Sequence, residues 1–269
     1  MIKPLIHATA ILGKELKIGR SVSVGPYSVI EDHVTIGDES AILDHVHIGR
    51  NTTIGKKNVI HMGAVIGHEA QHKSAVEIES FLIIGDNNVF REYVTVHRGS
   101  EVSSSTKIGN DNYFMAFSHV GHDCHVEDHV TVTNAVLLAG HVSVEDHAIL
   151  SGGCGVHQFC RIGAYAMIGG LASVTKDVPP YMLVDDNEHL IGSINLVGLR
   201  REGFSEEAKR DIKNAYKLLY LSRLNTTQAC EAILQKCHTK EVTHLLEFIK
   251  QSKRGILGHR KQNHAAAAS

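Results

Sequence analysis

Between positions 119 and 158 the chain carries His119, His122, Asp123, His141, His157 and Gln158, with Gly140 set among them. Residues of these types can act together. An imidazole changes charge near neutral pH and can take a proton from a hydroxyl. A carboxylate can fix its tautomer, and a glycine N–H can receive the oxyanion of an acyl group under attack. That set of parts suits acyl transfer to a hydroxyl. His122 is the natural base, Asp123 or another nearby acceptor its orienting partner, and the Gly140 N–H the oxyanion donor. A second chemistry is open at the same place, because His119-x-x-His122 resembles part of a zinc site. The plain alternative to both is scatter: the chain has 20 histidines, and His33, His45 and His47 read as decoration of solvated turns.

Residues this far apart in sequence meet only if the chain winds regularly. Every residue whose number is divisible by six, from Leu12 to Val174, is apolar except His72, which makes 27 of 28. With apolar residues at 43% of the chain, chance does not produce that run. Glycine follows the aliphatic residue repeatedly, at Gly19, Gly37, Gly49, Gly55, Gly85, Gly109 and Gly163, where it is expected to permit tight corners. A period of six fits neither an α-helix nor an alternating strand. It suits short parallel strands joined by turns, each sending one aliphatic side chain inward. Three such faces close a triangular coil, and stacked coils form a parallel β-helix with neighbouring strands about 4.8 Å apart. Adding 18 to a residue number then climbs one coil in the same column. His122 falls beneath Gly140 and Gln158, Asp123 beneath His141 and Phe159, and Gly121 beneath Ala139 and His157. The candidates thereby gather on one corner of three successive coils.

The repeat predicts a mainly β chain, with a β-helix over residues 1–190 and a small C-terminal α-helical domain over 191–258. Two stretches fit the coil poorly and are expected to leave it as loops, Gly67 to Phe81 and Gly99 to Thr106. After Pro179-Pro180 the pattern turns helical. Ser205 can cap a helix with Glu206 and Glu207 in its first turn and Ile212, Ala215, Tyr216, Leu219 and Tyr220 on its buried stripe. Two further helices are predicted, from about Thr227 to Cys237 and from Lys240 to Gln251, and the alanine-rich stretch 259–269 reads as an unstructured tail.

A formal net charge of -2 leaves no basic excess for nucleic acid or anionic lipid. The five cysteines, without a C-x-x-C, argue against a disulfide framework and for a reducing compartment. Met1 to Leu16 has no leader pattern, and no stretch is long and apolar enough to span a membrane, so a cytoplasmic protein is expected.

At these residues the sequence resembles the bacterial UDP-N-acetylglucosamine 3-O-acyltransferases, which take a 3-hydroxyacyl chain from acyl carrier protein in the first step of lipid A synthesis. The likeness runs through Ile84-Gly85-Asp86, Arg91-Glu92, Val96-His97-Arg98-Gly99, His119-Val120-Gly121-His122-Asp123-Cys124, Leu138-Ala139-Gly140-His141-Val142, Val156-His157-Gln158-Phe159-Cys160, Asp177-Val178-Pro179-Pro180-Tyr181 and Arg201-Glu202-Gly203-Phe204. The resemblance implies a left-handed winding. It also implies His122 as the base for the sugar 3-hydroxyl, Asp123 in support and Gly140 as oxyanion donor. Gln71, His72, His119, His141, His157 and Gln158 would line the sugar and acyl site, and Asn195 and Arg201 its nucleotide or phosphopantetheine end. Met167 and Gly170 fall where the family sets acyl-chain length. It further implies a homotrimer with sites between subunits, and neither a metal nor a tightly held cofactor.

The chain departs from the family pattern. Where relatives often read Asn-Gln-Asp-Leu-Lys-Tyr, it has Ala70-Gln71-His72-Lys73-Ser74-Ala75, which replaces the acid with His72 and displaces the base; Val197 and Glu202 replace a common glutamate and an arginine. His72 raises a 3-amino sugar nucleotide as an alternative acceptor. Other readings are the N-acyltransferase acting later in the pathway, disfavoured because the repeat begins by residue 12; a γ-carbonic-anhydrase-like metal enzyme, disfavoured by the helical C-terminal region; and a silent paralogue.

Overall fold

A computed structural model describes residues 5–72, 78–186 and 188–259. Short parallel strands follow one another around three faces, so through the coils each strand pairs with the third strand before it and the third after it. Among the described residues the first face begins with Leu5–Ile6 and holds 11 strands, the second begins with Ile11–Leu12 and holds nine, and the third begins with Lys17–Ile18 and holds eight. Successive regular coils keep the register that the period of six requires, as in Thr131↔Ile149 and His119↔Leu137. The divisible-by-six residues point inward and are almost completely buried, from Val24 and Ile30 to Ile168 and Val174. Stacking coils removes this aliphatic column from water, and that burial drives the winding.

The register also corrects the period. Val65 pairs with Thr95 and Phe81 with Ser105, and both steps are longer than a regular coil such as His119↔Leu137. The first carries two extra hexapeptide units and the second carries one. Whole hexapeptides keep the phase, so the numerical series passes through both insertions undisturbed. Val102, counted with the core, is 70% exposed, and Ile78 is only half-buried. The excursions lie between Val65–His68 and Phe81–Ile84, and between Thr95–His97 and Ser105–Ile108. Both insertions therefore fall where the second face turns into the third, and residues 73–77 of the first expected loop lie outside the described residues.

The glycines do a different job from the one expected. After each of those glycines the left-handed residue lies two positions further on and is not glycine: Ser21, Glu39, Asn51 and Lys57 have φ of 57°, 63°, 56° and 54°, whereas glycine takes that place in other turns, at Gly63 and Gly153, both with φ of 69°. Gly37 instead lets coils approach, since a Cβ there would sit 2.5 Å from the Gly55 carbonyl carbon. A β-helix stacks backbone directly on backbone, and any side chain at that point would pry two coils apart. The left-handed residues stack on each other along the corners, as His141 does on Phe159 with centroids 4.5 Å apart, and these contacts help offset the cost of their backbone conformation.

Three of the cysteines, Cys124, Cys154 and Cys160, fill small buried positions of the solenoid, and all five are free thiols. Burial pushes the Cys124 thiol up to about 12, which makes it inert.

Beyond Met182–Val184 the chain reverses, and Ile191–Ile194 adds an antiparallel strand to the first face. The domain boundary expected at 190 therefore falls inside a β-hairpin. The helices are α1 (Leu196–Arg201), α2 (Glu206–Tyr216, capped by Ser205), α3 (Thr226–Lys236) and α4 (Lys240–Gln251), with a π-helical turn Lys217–Leu221 after α2. The sequence pattern does not anticipate α1, whose apolar content is too short to show a helical stripe. His259, placed by the sequence in the tail, bridges to Ile191 and hydrogen-bonds Tyr216 at 2.8 Å, while the remainder of that tail, like Ser74, lies outside the described residues. No helix among the described residues is long and apolar enough to cross a membrane.

Glu145 fastens α4 to the prism, receiving His244 Nε2 at 2.8 Å and Arg161 Nη2 at 3.3 Å, while the Arg161 guanidinium lies 4.0 Å from the Phe248 ring centre. The Glu145 hydrogen bond raises the His244 pKa above that of a free imidazole. A group with a raised folded-state value stabilises fully below its unfolded value, about 6.5, and that contribution fades as pH climbs through the folded value. The difference in melting temperature between the native chain and His244→Ala is therefore expected to be largest near pH 5.5 and to shrink by pH 8.5. Thermal unfolding of both at several pH values checks this, and a gap that widens with pH would contradict it.

Candidate active site

His122 and Asp123 lie in the turn between strands His119–Val120 of the second face and His125–Val126 of the third. Gly140 and His141 occupy the same turn one coil on, and Gln158 the turn after that. His122 Nδ1 meets Asp123 Oδ2 at 2.9 Å, and both side chains are largely buried, 17% and 9% exposed. Burial alone would raise the Asp123 carboxyl, but hydrogen bonds from Ser100, Ser104 and His122 outweigh it and hold the group below the usual carboxylate range. Asp123 is therefore an anion at neutral pH, and it favours the His122 tautomer with its proton on Nδ1. That leaves Nε2 as a proton acceptor.

The imidazole lies directly against Gly140. A Cβ on that residue would stand 2.5 Å from His122 Cε1 and 2.6 Å from Nε2, so only glycine leaves the ring its place. The Gly140 carbonyl accepts from Phe159 N–H at 3.2 Å, whereas its own N–H meets no acceptor among the described residues. In ordinary turns of this solenoid an aspartate one coil ahead takes that N–H, as Asp38 does for Arg20 at 2.8 Å and Asp146 for Asp128 at 2.9 Å. Gln158 stands in that place above Gly140, exposed, without closing the bond. An imidazole nitrogen able to accept a proton and a backbone N–H without an acceptor among the described residues thus share one corner.

His141 closes the corner from the side, its ring edge-on to His122 at 5.1 Å and its Nε2 3.8 Å from Asp123 Oδ2. His72, on the first loop, approaches His122 with centroids 6.4 Å apart. Around onto the second face opens a groove of about 730 Å³ lined by Gln71, His119, His157, Leu137, Gly155 and Thr175, among others. Burial, reinforced by the neighbouring His97 and His122 imidazoles, depresses the His119 pKa to about 4. His119 is consequently neutral at physiological pH and bonds Thr95 Oγ1 at 2.8 Å.

Four candidates lie elsewhere on the same chain. Met167 is on the first face, in Met167–Ile168, and Gly170 is at the corner between the first and second faces. Asn195 is buried: its side chain caps α1 through Gly198 N–H at 3.0 Å and donates to the Tyr165 carbonyl at 2.9 Å, and exposed Arg201 ends the same helix. Tyr165 belongs to the corner between the third and first faces, so neither Asn195 nor Arg201 is brought to His122 within one chain. Glu202 sits at that corner too, 3.6 Å from His147 Nδ1, and Val197 is 59% exposed.

Residues that the sequence did not flag complete the corner. Ser100 donates to Asp123 Oδ2 through Oγ at 2.7 Å and through its N–H at 3.0 Å, and Thr106 Oγ1 accepts the Asp123 N–H at 2.8 Å. Ser100 belongs to a loop that interrupts the coil, so column arithmetic cannot find it; Thr106 sits one position off the column of Asp123.

His122, Asp123 and His141 place three donor atoms within 4.8 Å of one another, the number of protein ligands a catalytic zinc uses. One of the carboxylate oxygens at its centre is already engaged. Asp123 Oδ2 already receives the Ser100 hydroxyl, the Ser100 N–H and the His122 ring, so little of its lone-pair density faces an ion.

Known proteins resemble this chain along most of its length. The acyl-[acyl-carrier-protein]–UDP-N-acetylglucosamine O-acyltransferase of Halorhodospira halophila is 42% identical over 94% of this chain and 98% of its own. The chain belongs to that family. Its residues 177–257 match the family model "Udp N-acetylglucosamine O-acyltransferase; Domain 2". Among solved structures, LpxA from Acinetobacter baumannii superposes with a TM-score of 0.91 at 39% identity, covering 94% of this chain and 99% of that one. The UDP-N-acetylglucosamine O-acyltransferase (LpxA) of Moraxella catarrhalis gives 0.90 at 37% identity, with the same two coverages. The fold of this acyltransferase is the left-handed parallel β-helix with a small helical C-terminus.

Proposed function

We propose that the chain moves a 3-hydroxyacyl group from the phosphopantetheine thiol of acyl carrier protein to the 3-hydroxyl of UDP-N-acetylglucosamine, opening lipid A synthesis, with His122 as general base. The observation that carries the reading is the His122 Nδ1 to Asp123 Oδ2 hydrogen bond of 2.9 Å, made beside the unbonded Gly140 N–H.

His122 Nε2 takes the hydroxyl proton as the sugar oxygen attacks the thioester carbonyl. The new C–O bond leaves a tetrahedral oxyanion, which the Gly140 N–H stabilises. Collapse breaks the C–S bond, and the imidazolium returns its proton to the leaving thiolate. Asp123, anionic throughout, stabilises that imidazolium. His119, His141, His157, Gln158 and Gln71 surround the corner and groove where sugar and acyl chain meet, and neutral His119 offers hydrogen bonds without a competing charge. Base and oxyanion donor both come from the protein, so the reading needs no resident metal or cofactor.

The distribution of the remaining candidates supports a site shared between subunits of a homotrimer. Met167, Gly170, Asn195 and Arg201 can serve a corner formed by a neighbouring copy, where a first face and an α1 are presented to another chain's His122. Acyl-chain length would then be set by Met167 and Gly170 across that interface. Five free thiols and a carrier-protein donor accord with the cytoplasm.

A second reading, a 3-amino sugar acceptor, is favoured by His72, whose ring centroid lies 6.4 Å from that of His122. One assay separates these readings. Purified protein is incubated with 3-hydroxyacyl carrier proteins of several chain lengths and both sugar nucleotides, with and without EDTA, and products are read by mass spectrometry. Acylation of the 3-hydroxyl sugar, undiminished by chelator, is expected. Strong preference for the amino sugar would install the second reading, a requirement for added zinc would revive the metal site, and no product from any donor would indicate a silent paralogue.

A further inference from the structure

We infer that Ser100 is a positioning residue for the catalytic dyad: it holds the Asp123 carboxylate on His122 from the second loop. The inference rests on the reading of His122 as base.

Three donors converge on one oxygen, Asp123 Oδ2: His122 Nδ1 at 2.9 Å, the Ser100 hydroxyl at 2.7 Å and the Ser100 N–H at 3.0 Å. A carboxylate in this corner has two imidazoles to choose between, because His141 Nε2 lies only 3.8 Å from the same oxygen. Nothing in the dyad itself breaks that tie. Ser100 does, by fixing the direction of Oδ2 with two bonds that come from the backbone and side chain of one residue. Such paired donors resist rotation better than either alone.

The loop that delivers Ser100 is built to stay put. It is the single-hexapeptide insertion between Thr95–His97 and Ser105–Ile108. Gly99 N–H donates to Phe81 O at 3.1 Å, Glu101 N–H to Ser104 Oγ at 3.0 Å, and Ser103 N–H to Glu79 O at 2.8 Å, which ties this loop to the end of the first. Thr106, the first inward residue after the loop, then takes the Asp123 N–H at 2.8 Å. The insertion therefore grips Asp123 on side chain and backbone at once.

The test is steady-state kinetics with acyl carrier protein and sugar nucleotide for Ser100→Ala, Ser100→Thr, Asp123→Asn and the Ser100→Ala, Asp123→Asn double variant. Losing a hydrogen bond to a charged group predicts about a tenfold fall in kcat for Ser100→Ala, with both KM values within about twofold. The carboxylate, less stabilised, holds the His122 imidazolium more strongly, so the acid limb of kcat/KM moves to higher pH. His141, His119, His97 and His72 also face the dyad and are present in both enzymes, so the limb is compared between variants. Ser100→Thr keeps the hydroxyl and is expected to restore most of kcat. In the Asp123→Asn background, Ser100→Ala should cost less than about twofold more, because its target is gone.

Equal losses in both backgrounds, an unmoved acid limb, or a loss confined to KM would overturn the inference. Should the alanine variant loosen the loop, Ser100→Cys gives the same readings with a weaker donor of similar size. If His122→Ala is dead while the Ser100 series proves additive, this inference alone falls; if His122→Ala stays active, the mechanism beneath it falls first.

Discussion

His122→Ala is expected to lower kcat by about a thousandfold, within the range a general base supplies, while leaving the KM for each substrate within about threefold. The ring contributes nothing to the aliphatic column. It lies in a turn, 17% exposed, and among the described residues its one hydrogen bond is to Asp123, so its removal should leave the melting temperature almost unchanged. What disappears is the proton acceptor beside the free Gly140 N–H, and with it the acid limb of the pH profile. Asp123→Asn should fall between native and His122→Ala, because the base survives in an unfixed tautomer. The check is single-turnover transfer measured by mass spectrometry beside thermal unfolding. More than about a tenth of native kcat in His122→Ala would remove the imidazole from the chemistry.

Gly140→Ala is expected to cost at least about a hundredfold in kcat, since a displacement of about 1 Å at a reacting group is enough for a loss of that size. The added methyl would stand 2.5 Å from His122 Cε1 and 2.6 Å from Nε2, and the ring is the softer partner, so it moves. The same substitution one coil earlier gives the contrast. At Gly121 a Cβ would meet the Ala139 carbonyl carbon and the Gly140 nitrogen at 2.9 Å, backbone that cannot swing aside, so Gly121→Ala should lower the melting temperature as well. A Gly140→Ala enzyme with native kcat would show that neither the ring position nor this turn matters to transfer.

Much of the site was legible because it obeys the solenoid's arithmetic. His122 against Gly140 and His141 against Phe159 are column neighbours, and both contacts stand in the structure at the spacing the period dictates. Where the chain leaves the coil, the arithmetic loses its hold. Ser100 grips Asp123 across a sequence separation that belongs to no column, and His72 reaches His122 from the other loop. The period even concealed the excursions, since insertions made of whole hexapeptides keep the phase and let Val102 pass for core. The glycines misled for a related reason: a one-dimensional pattern marks a constraint at Gly37 but cannot say whether it is a dihedral angle or a neighbouring coil.

By itself the sequence determined the prism, its three faces, the helical end and the corner where His122, Asp123 and Gly140 meet. It could do so because burial of one aliphatic residue in every six is a local, repeating demand that leaves its period in the chain. Tertiary structure decided everything the period does not govern: which oxygen of Asp123 is held and by whom, that the Gly140 N–H is left unbonded, and that Met167, Asn195 and Arg201 face away from their own chain's His122. Those outcomes depend on where loops and helices return to the coil, and contacts between distant segments leave no periodic trace.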